Sequence, residues 1–149
     1  MGLTISHGAW DGGYASFMVW RQEIASLEGI PLMMMEGYYG FGVVDYNRLI
    51  KGALSESGFS SYLADVFQRD YLDHLPLKWS NFRRNALHKL LYHSDCGGTL
   101  NWRGLKGIYM RLEYLMEKRE MSDFCKQKTR QFIEGAKKAY EAQESLRFT

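Results

Sequence analysis

The stretch LLYHSDCGGTL, residues 90–100, sets His93, Ser94, Asp95 and Cys96 side by side and closes them with Gly97 and Gly98. Three chemistries use such a set. Nucleophilic catalysis needs Cys96 as a thiolate within hydrogen-bond reach of a base that a third group orients. His93, His7 and Asp95 are the candidate partners. A metal centre would draw on His93, Asp95, Cys96 and His7, but structural zinc favours paired Cys and His at short fixed spacings. The chain has neither a CxxC nor an HExxH pattern, so no metal and no other cofactor is expected. The third use is a recognition turn. A helix ending at Tyr92 or His93 leaves carbonyls unpaired, and Gly97 and Gly98 supply the positive φ that closes such an end. The next helix then opens with free N–H groups that favour an anion. Ser94 and Asp95 would face whatever sits in the bend, with Asp95 accepting from ribose hydroxyls or an amine. The competing reading is that both side chains satisfy only local backbone groups.

A second dense cluster, SHGAWDGGYASFMVWRQEIA, fills residues 6–25. His7 and Trp10 fall on a glycine-rich loop, and Tyr14, Phe17 and Arg21 fall on the first turns of a helix, at spacings that share a face. Trp10 or Tyr14 is placed to stack on a base and Arg21 to take phosphate charge. Gly8, Gly12 and Gly13 allow backbone to approach a ligand closely. The pattern is neither GxGxxG nor a Walker loop, so no known nucleotide fold follows from it. The alternative is an aromatic helix packed in the core with Arg21 paired to a carboxylate, and that reading is preferred for Trp20 and Ile24.

The elements that must position these clusters follow from pattern. LTIS, residues 3–6, reads as a short strand. Phe17, Trp20, Ile24 and Leu27 recur at helical spacing over Tyr14 to Leu27, and Gly29 stops the helix. Residues 30–46 read as a loop with a short strand; residues 47–54 and 59–73 carry helical patterns. Pro76 separates these from a helix at about 79–92, whose Leu87, Leu90 and Leu91 face the core. Asn101 caps a helix from Trp102 to Lys118, with Leu105, Ile108, Leu112 and Leu115 on one stripe. Ser122 caps a last helix at about 122–145, with Phe124, Phe132, Ala136 and Tyr140 inward and an end that frays past Gln143. The expected fold is a helix-dominated α+β single domain over residues 1–149, with at most a small β-sheet.

Bulk properties narrow the partner. With 46% hydrophobic and 24% charged residues the 149-residue chain reads as globular. No window has the run of roughly 18 apolar residues that a membrane span needs, and no secretory signal opens the chain. Two cysteines do not make a disulfide framework, so a reducing cytoplasm is expected. Charge is uneven: residues 1–77 hold four Arg/Lys against nine Asp/Glu, and residues 78–111 hold seven against Asp95 alone. The basic segment suits an anionic partner, or complements the acidic half within the fold. Aromatics reach 15%, which suits a stacking pocket or an interface as well as a core. A nucleic-acid partner is not expected, because no reading motif is present and the acidic half interrupts any continuous basic surface.

Taken together the two clusters resemble a family of small, mostly uncharacterised proteins of bacteria, prophages and phages. These carry Ser-His-Gly-x-Trp-x-Gly-x-Tyr-x-x-Phe near the N-terminus and His-Ser-Asp-Cys-x-Gly farther on. The resemblance covers about a fifth of the chain. Relatives often have Cys-Asp-Gly-Glu at the second motif, where this chain has Gly97 and Thr99, which weakens metal binding or acid catalysis at that turn. The resemblance implies a phage- or prophage-type protein, and by analogy one that counters host immunity by capturing a nucleotide-derived signal. The expected ligand is ADP-ribose-like or a cyclic nucleotide, held by His7, Trp10, Tyr14, Arg21, His93, Ser94 and Asp95. Two rivals stand beside this binder: a hydrolase or transferase using Cys96, His93 or His7, and an interaction module directed at a host protein. A binder is favoured over an enzyme, and self-association is left open. The binder requires both motifs to converge on one site.

Overall fold

The computed structural model describes residues 2–38 and 76–149, so the loop and helical patterns expected within 39–75 lie outside the described residues. Four α-helices and four short strands are described: β1 (Gly2–Ile5), β2 (Trp10–Gly13), α1 (Tyr14–Leu27), α2 (His88–Tyr92), β3 (Thr99–Leu100), α3 (Leu105–Lys118), α4 (Asp123–Ala142) and β4 (Leu146–Arg147). This is a helix-dominated α+β fold, as the sequence pattern indicates. Two compact units are present, one of residues 1–20 with 84–149 and one of residues 21–83.

In the first unit, α3 and α4 pack side by side. The α3 stripe Leu105, Ile108, Leu112 and Leu115 is buried, as its spacing requires. Ser122 Oγ accepts from Cys125 N and opens α4 as the expected cap. Asn101 caps a 3-10 turn, Trp102–Gly104, that precedes α3, its Oδ1 accepting from Arg103 N at 2.9 Å. The core is strongly aromatic. Trp10 lies 5.0 Å from Phe17 and 5.4 Å from Trp20 between ring centroids, and Trp20 lies 5.2 Å from Phe132. Trp20 Nε1 donates to Thr129 Oγ1, which keeps a buried polar atom satisfied.

β1 and β2 form an antiparallel ribbon with Ile5 opposite Trp10, and β3 pairs antiparallel with β4. An Ile5–Phe148 bridge joins the two ribbons, and Thr4 and Thr149 exchange backbone hydrogen bonds at 2.9 and 2.8 Å. β4 therefore runs between β1 and β3. Its alternation is strict: Leu146 and Phe148 are buried, Arg147 and Thr149 exposed.

Two expectations need correction. The tail past Gln143 does not fray. Gln143 takes a left-handed conformation, φ 55°, that ends α4 and turns the chain into β4. The helix expected over 79–92 is interrupted: a 3-10 turn, Trp79–Phe82, is separate from the five-residue α2. Asn85 Oδ1 accepts from Leu87 N between them, a side-chain bond that competes with helical backbone pairing.

In the second unit, α1 ends at Gly29, φ 72°, where Ile30 N bonds back to Ala25 O at 2.8 Å. Met35 pairs with Leu77 across a parallel bridge, and Trp79 Nε1 donates to Glu36 O.

Candidate functional site: two turns on one strand

Part of each motif is fastened to residues 146–148, β4 and the Phe148 that follows it, whereas Trp10 and Arg21 are not. On one side, the turn Ser6–Gly8 links β1 to β2. Ser6 Oγ accepts from Arg147 N at 2.8 Å and lies 3.0 Å from His7 Nδ1. His7 itself has φ 61°, a conformation that costs energy for a residue with a Cβ. Its Nε2 stands 3.8 Å from Glu144 Oε1, with the imidazole 21% exposed. The turn is pinned from below by α4. Gln131 Nε2 donates to Gly8 O, and a Cβ at Gly135 would stand 2.5 Å from Ala9 Cα, so only glycine lets the helix approach this closely.

On the other side is the bend His93–Gly98. The His93 ring stacks on Phe148 with centroids 4.0 Å apart and an interplanar angle of 28°. Its Nδ1 is 2.7 Å from Ser94 O and its Nε2 3.0 Å from Thr99 O. A neutral imidazole can donate to one of these carbonyls and a doubly protonated one to both. Gly98, φ 90°, gives its carbonyl to Phe148 N, and a Cβ there would meet the His93 ring at 3.4 Å. Cys96 is exposed, and its Sγ lies 3.2 Å from Ser94 Oγ, which also accepts from Cys96 N. The nucleophile–base pair envisaged for Cys96 and His93 is thus absent: the thiol meets a hydroxyl, and both ring nitrogens of His93 face carbonyls. Asp95 is half-buried in the same bend.

Two other expected site residues go elsewhere. Trp10 is fully buried in the aromatic cluster and offers no face to a base, because its position in β2 opposite Ile5 points it into the core. Lys128 lies over it from the outside, 4.7 Å from the ring centroid, while donating to Asp11 O. Arg21 belongs to the second unit, is 1% exposed, and sits 5.4 Å over the Tyr38 ring, so it is not presented to solvent phosphate. Tyr14 is half-buried at the start of α1.

Sequence reasoning passed over Arg147 and Glu144, which lie in the segment assigned to a frayed end. Arg147 is exposed and makes no ion pair among the described residues. The period-2 pattern Leu-Arg-Phe at 146–148 was the available signal. Among the described residues no three of His, Cys, Asp and Glu gather closely enough to hold a metal ion, and no helix is long and apolar enough to cross a membrane. No protein-family model, curated protein or solved structure matches the chain.

Proposed function

We propose that this chain is a binding protein that retains a small anionic, nucleotide-derived ligand on the outward strip formed by Ser6, His7, Glu144, Arg147 and the His93–Cys96 bend. One observation carries the reading: both glycine-closed turns are fastened to residues 147–148 at the end of the chain's last strand, where the Arg147 side chain is exposed and makes no ion pair among the described residues. A guanidinium presents a planar fork of donors suited to phosphate. His7 and Asp95 supply the flanking groups for hydroxyls. Retention without turnover fits the Cys96 surroundings, where no imidazole serves as base. In the phage or prophage setting that the motif resemblance implies, such retention withdraws a nucleotide signal from the host. The test is mass spectrometry of small molecules released by heat from freshly purified protein, with thermal-shift titrations of inorganic phosphate and ADP-ribose. A retained nucleotide and a shift that Arg147→Gln removes support the reading. No retained species and no shift from any phosphate sink it.

A second reading, hydrolysis, has one geometric observation on its side. Ser6 Oγ accepts the Arg147 N–H, which leaves its own proton for His7 Nδ1, and His7 Nε2 faces Glu144 Oε1. A hydroxyl, a base and an orienting carboxylate in that order are what nucleophilic catalysis uses. This reading requires product to accumulate from an ester or phosphoester and to stop accumulating in His7→Gln. Ligand recovered intact after long incubation excludes it.

A further inference from the structure

With Trp10 buried, a nucleotide on the strip has lost one of the two rings, Trp10 and Tyr14, expected to carry its base. The geometry points to Trp102, backed by Tyr140 and flanked by Arg103, as the surface on which the nucleobase stacks. This inference rests on the proposed anion-binding strip. The β3–β4 register sets Thr99 opposite Arg147 and Leu100 opposite Leu146, and Trp102 N then donates to Ser145 Oγ at 3.2 Å. Trp102 is thereby fixed beside the 144–147 segment that supplies Glu144 and Arg147.

The surroundings of Trp102 suit a flat, negatively charged ligand. Its ring is half-exposed and lies 5.9 Å from Tyr140, whose ring is in turn 6.1 Å from Tyr109. Three partly exposed rings thus follow one another between the start of α3 and the end of α4. Cations rim them. The Arg103 guanidinium is 5.4 Å over the Trp102 ring, Lys137 Nζ is 5.5 Å over Tyr109, and Lys106 is exposed in the first turn of α3. Lys137 is engaged by Glu113 at 2.9 Å, whereas Arg103 and Lys106 make no ion pair among the described residues. A Cβ at Gly104 or Gly107 would meet nothing within 4 Å, so the surface around this turn is open.

Bases stack on aromatic faces and on guanidinium planes without regard to sequence. Arg103 is exposed and can swing to become the second leaf over a base lying on Trp102. A sugar phosphate would use only the Arg147 strip, while a nucleoside phosphate would use strip and ring together. Stacking of one base on an aromatic ring typically tightens binding roughly ten-fold or more.

The experiment titrates the whole protein with AMP, ribose 5-phosphate and inorganic phosphate, read by thermal shift and by tryptophan fluorescence. AMP is expected to bind roughly ten-fold more tightly than ribose 5-phosphate, with quenching. Trp102→Ala should bring AMP to the ribose 5-phosphate level and leave ribose 5-phosphate unchanged, and Trp102→Phe should restore most of the difference. Unaltered ribose 5-phosphate binding in Trp102→Ala also reports that the variant is folded. Equal binding of AMP and ribose 5-phosphate by the unsubstituted protein, or an AMP preference that survives Trp102→Ala, overturns the stacking assignment while the anion strip stands. If none of the three ligands binds, the strip and the stacking assignment fall together.

Discussion

The Ser6–Gly8 turn and the His93–Gly98 bend look alike as sequence: each pairs a serine with a histidine, ends in glycine, and fastens to β4. Their histidines are used differently. His93 lies flat on Phe148 with both nitrogens against backbone carbonyls, so its polar atoms are consumed by the fold. His7 stands in a left-handed conformation with one nitrogen on Ser6 and the other facing an exposed carboxylate. Strain of this kind persists only where the surroundings over-determine it, and it concentrates at functional sites. A serine–histidine–glycine signature therefore does not fix how its histidine is used; the partner of each ring nitrogen tells the two apart.

Substitutions can break or sharpen this contrast. The largest effect is expected from Phe148→Ala, which removes a buried ring contacted by both His93 and Phe17 and should cost about 3–5 kcal/mol in urea unfolding. His93→Ala should follow, at about 1–2 kcal/mol, from the lost stack and hydrogen bonds. His93→Phe should recover part of that loss by restoring the ring without its nitrogens. If His93→Ala leaves stability unchanged but abolishes phosphate binding, the roles assigned to the two histidines are reversed. His7→Gly should change stability by less than about 1 kcal/mol, since relief of the positive φ offsets the added freedom of glycine. It should nonetheless weaken retention of the anion, measured by the same thermal-shift titration.

The smallest effect belongs to a contact outside both turns, between Lys137 and Glu113. The Glu113 hydrogen bond raises the Lys137 pKa against the opposing effect of desolvation. A cation with a raised folded pKa stabilises fully below its unfolded value. That contribution disappears as pH rises through the raised value, so Lys137→Met should destabilise slightly at neutral pH and not at all in strongly alkaline solution. Both partners are about half exposed, so high salt should erase the difference as well.

Much of this architecture was legible because it is written locally. The stripe Leu105, Ile108, Leu112 and Leu115, the caps at Asn101 and Ser122, and the stop at Gly29 each depend on neighbours within a turn or two. Interactions across the chain were not legible. Trp10 reads as a loop aromatic among glycines, and only its pairing with Ile5 turns it inward. Residues 146–148 alternate as a strand should, yet their partners are Ser6 and Thr99, and no nearby residue announces either. The interruption before α2 came from one side chain, Asn85, outcompeting helical pairing. Both motifs stood out by content, while the residues to which they are fastened, 147 and 148, came from a segment read as a frayed end.

The placement of β4 has a consequence for how the molecule matures. Residues 146–149 are synthesised after everything they fasten, so until they emerge the Ser6–Gly8 turn has only its α4 contacts and the His93–Gly98 bend lacks Phe148. The joining of β1 to β3 through these residues is thus a long-range closure among residues 2–5, 99–100 and 146–149, a kind of contact that forms slowly relative to helices and caps.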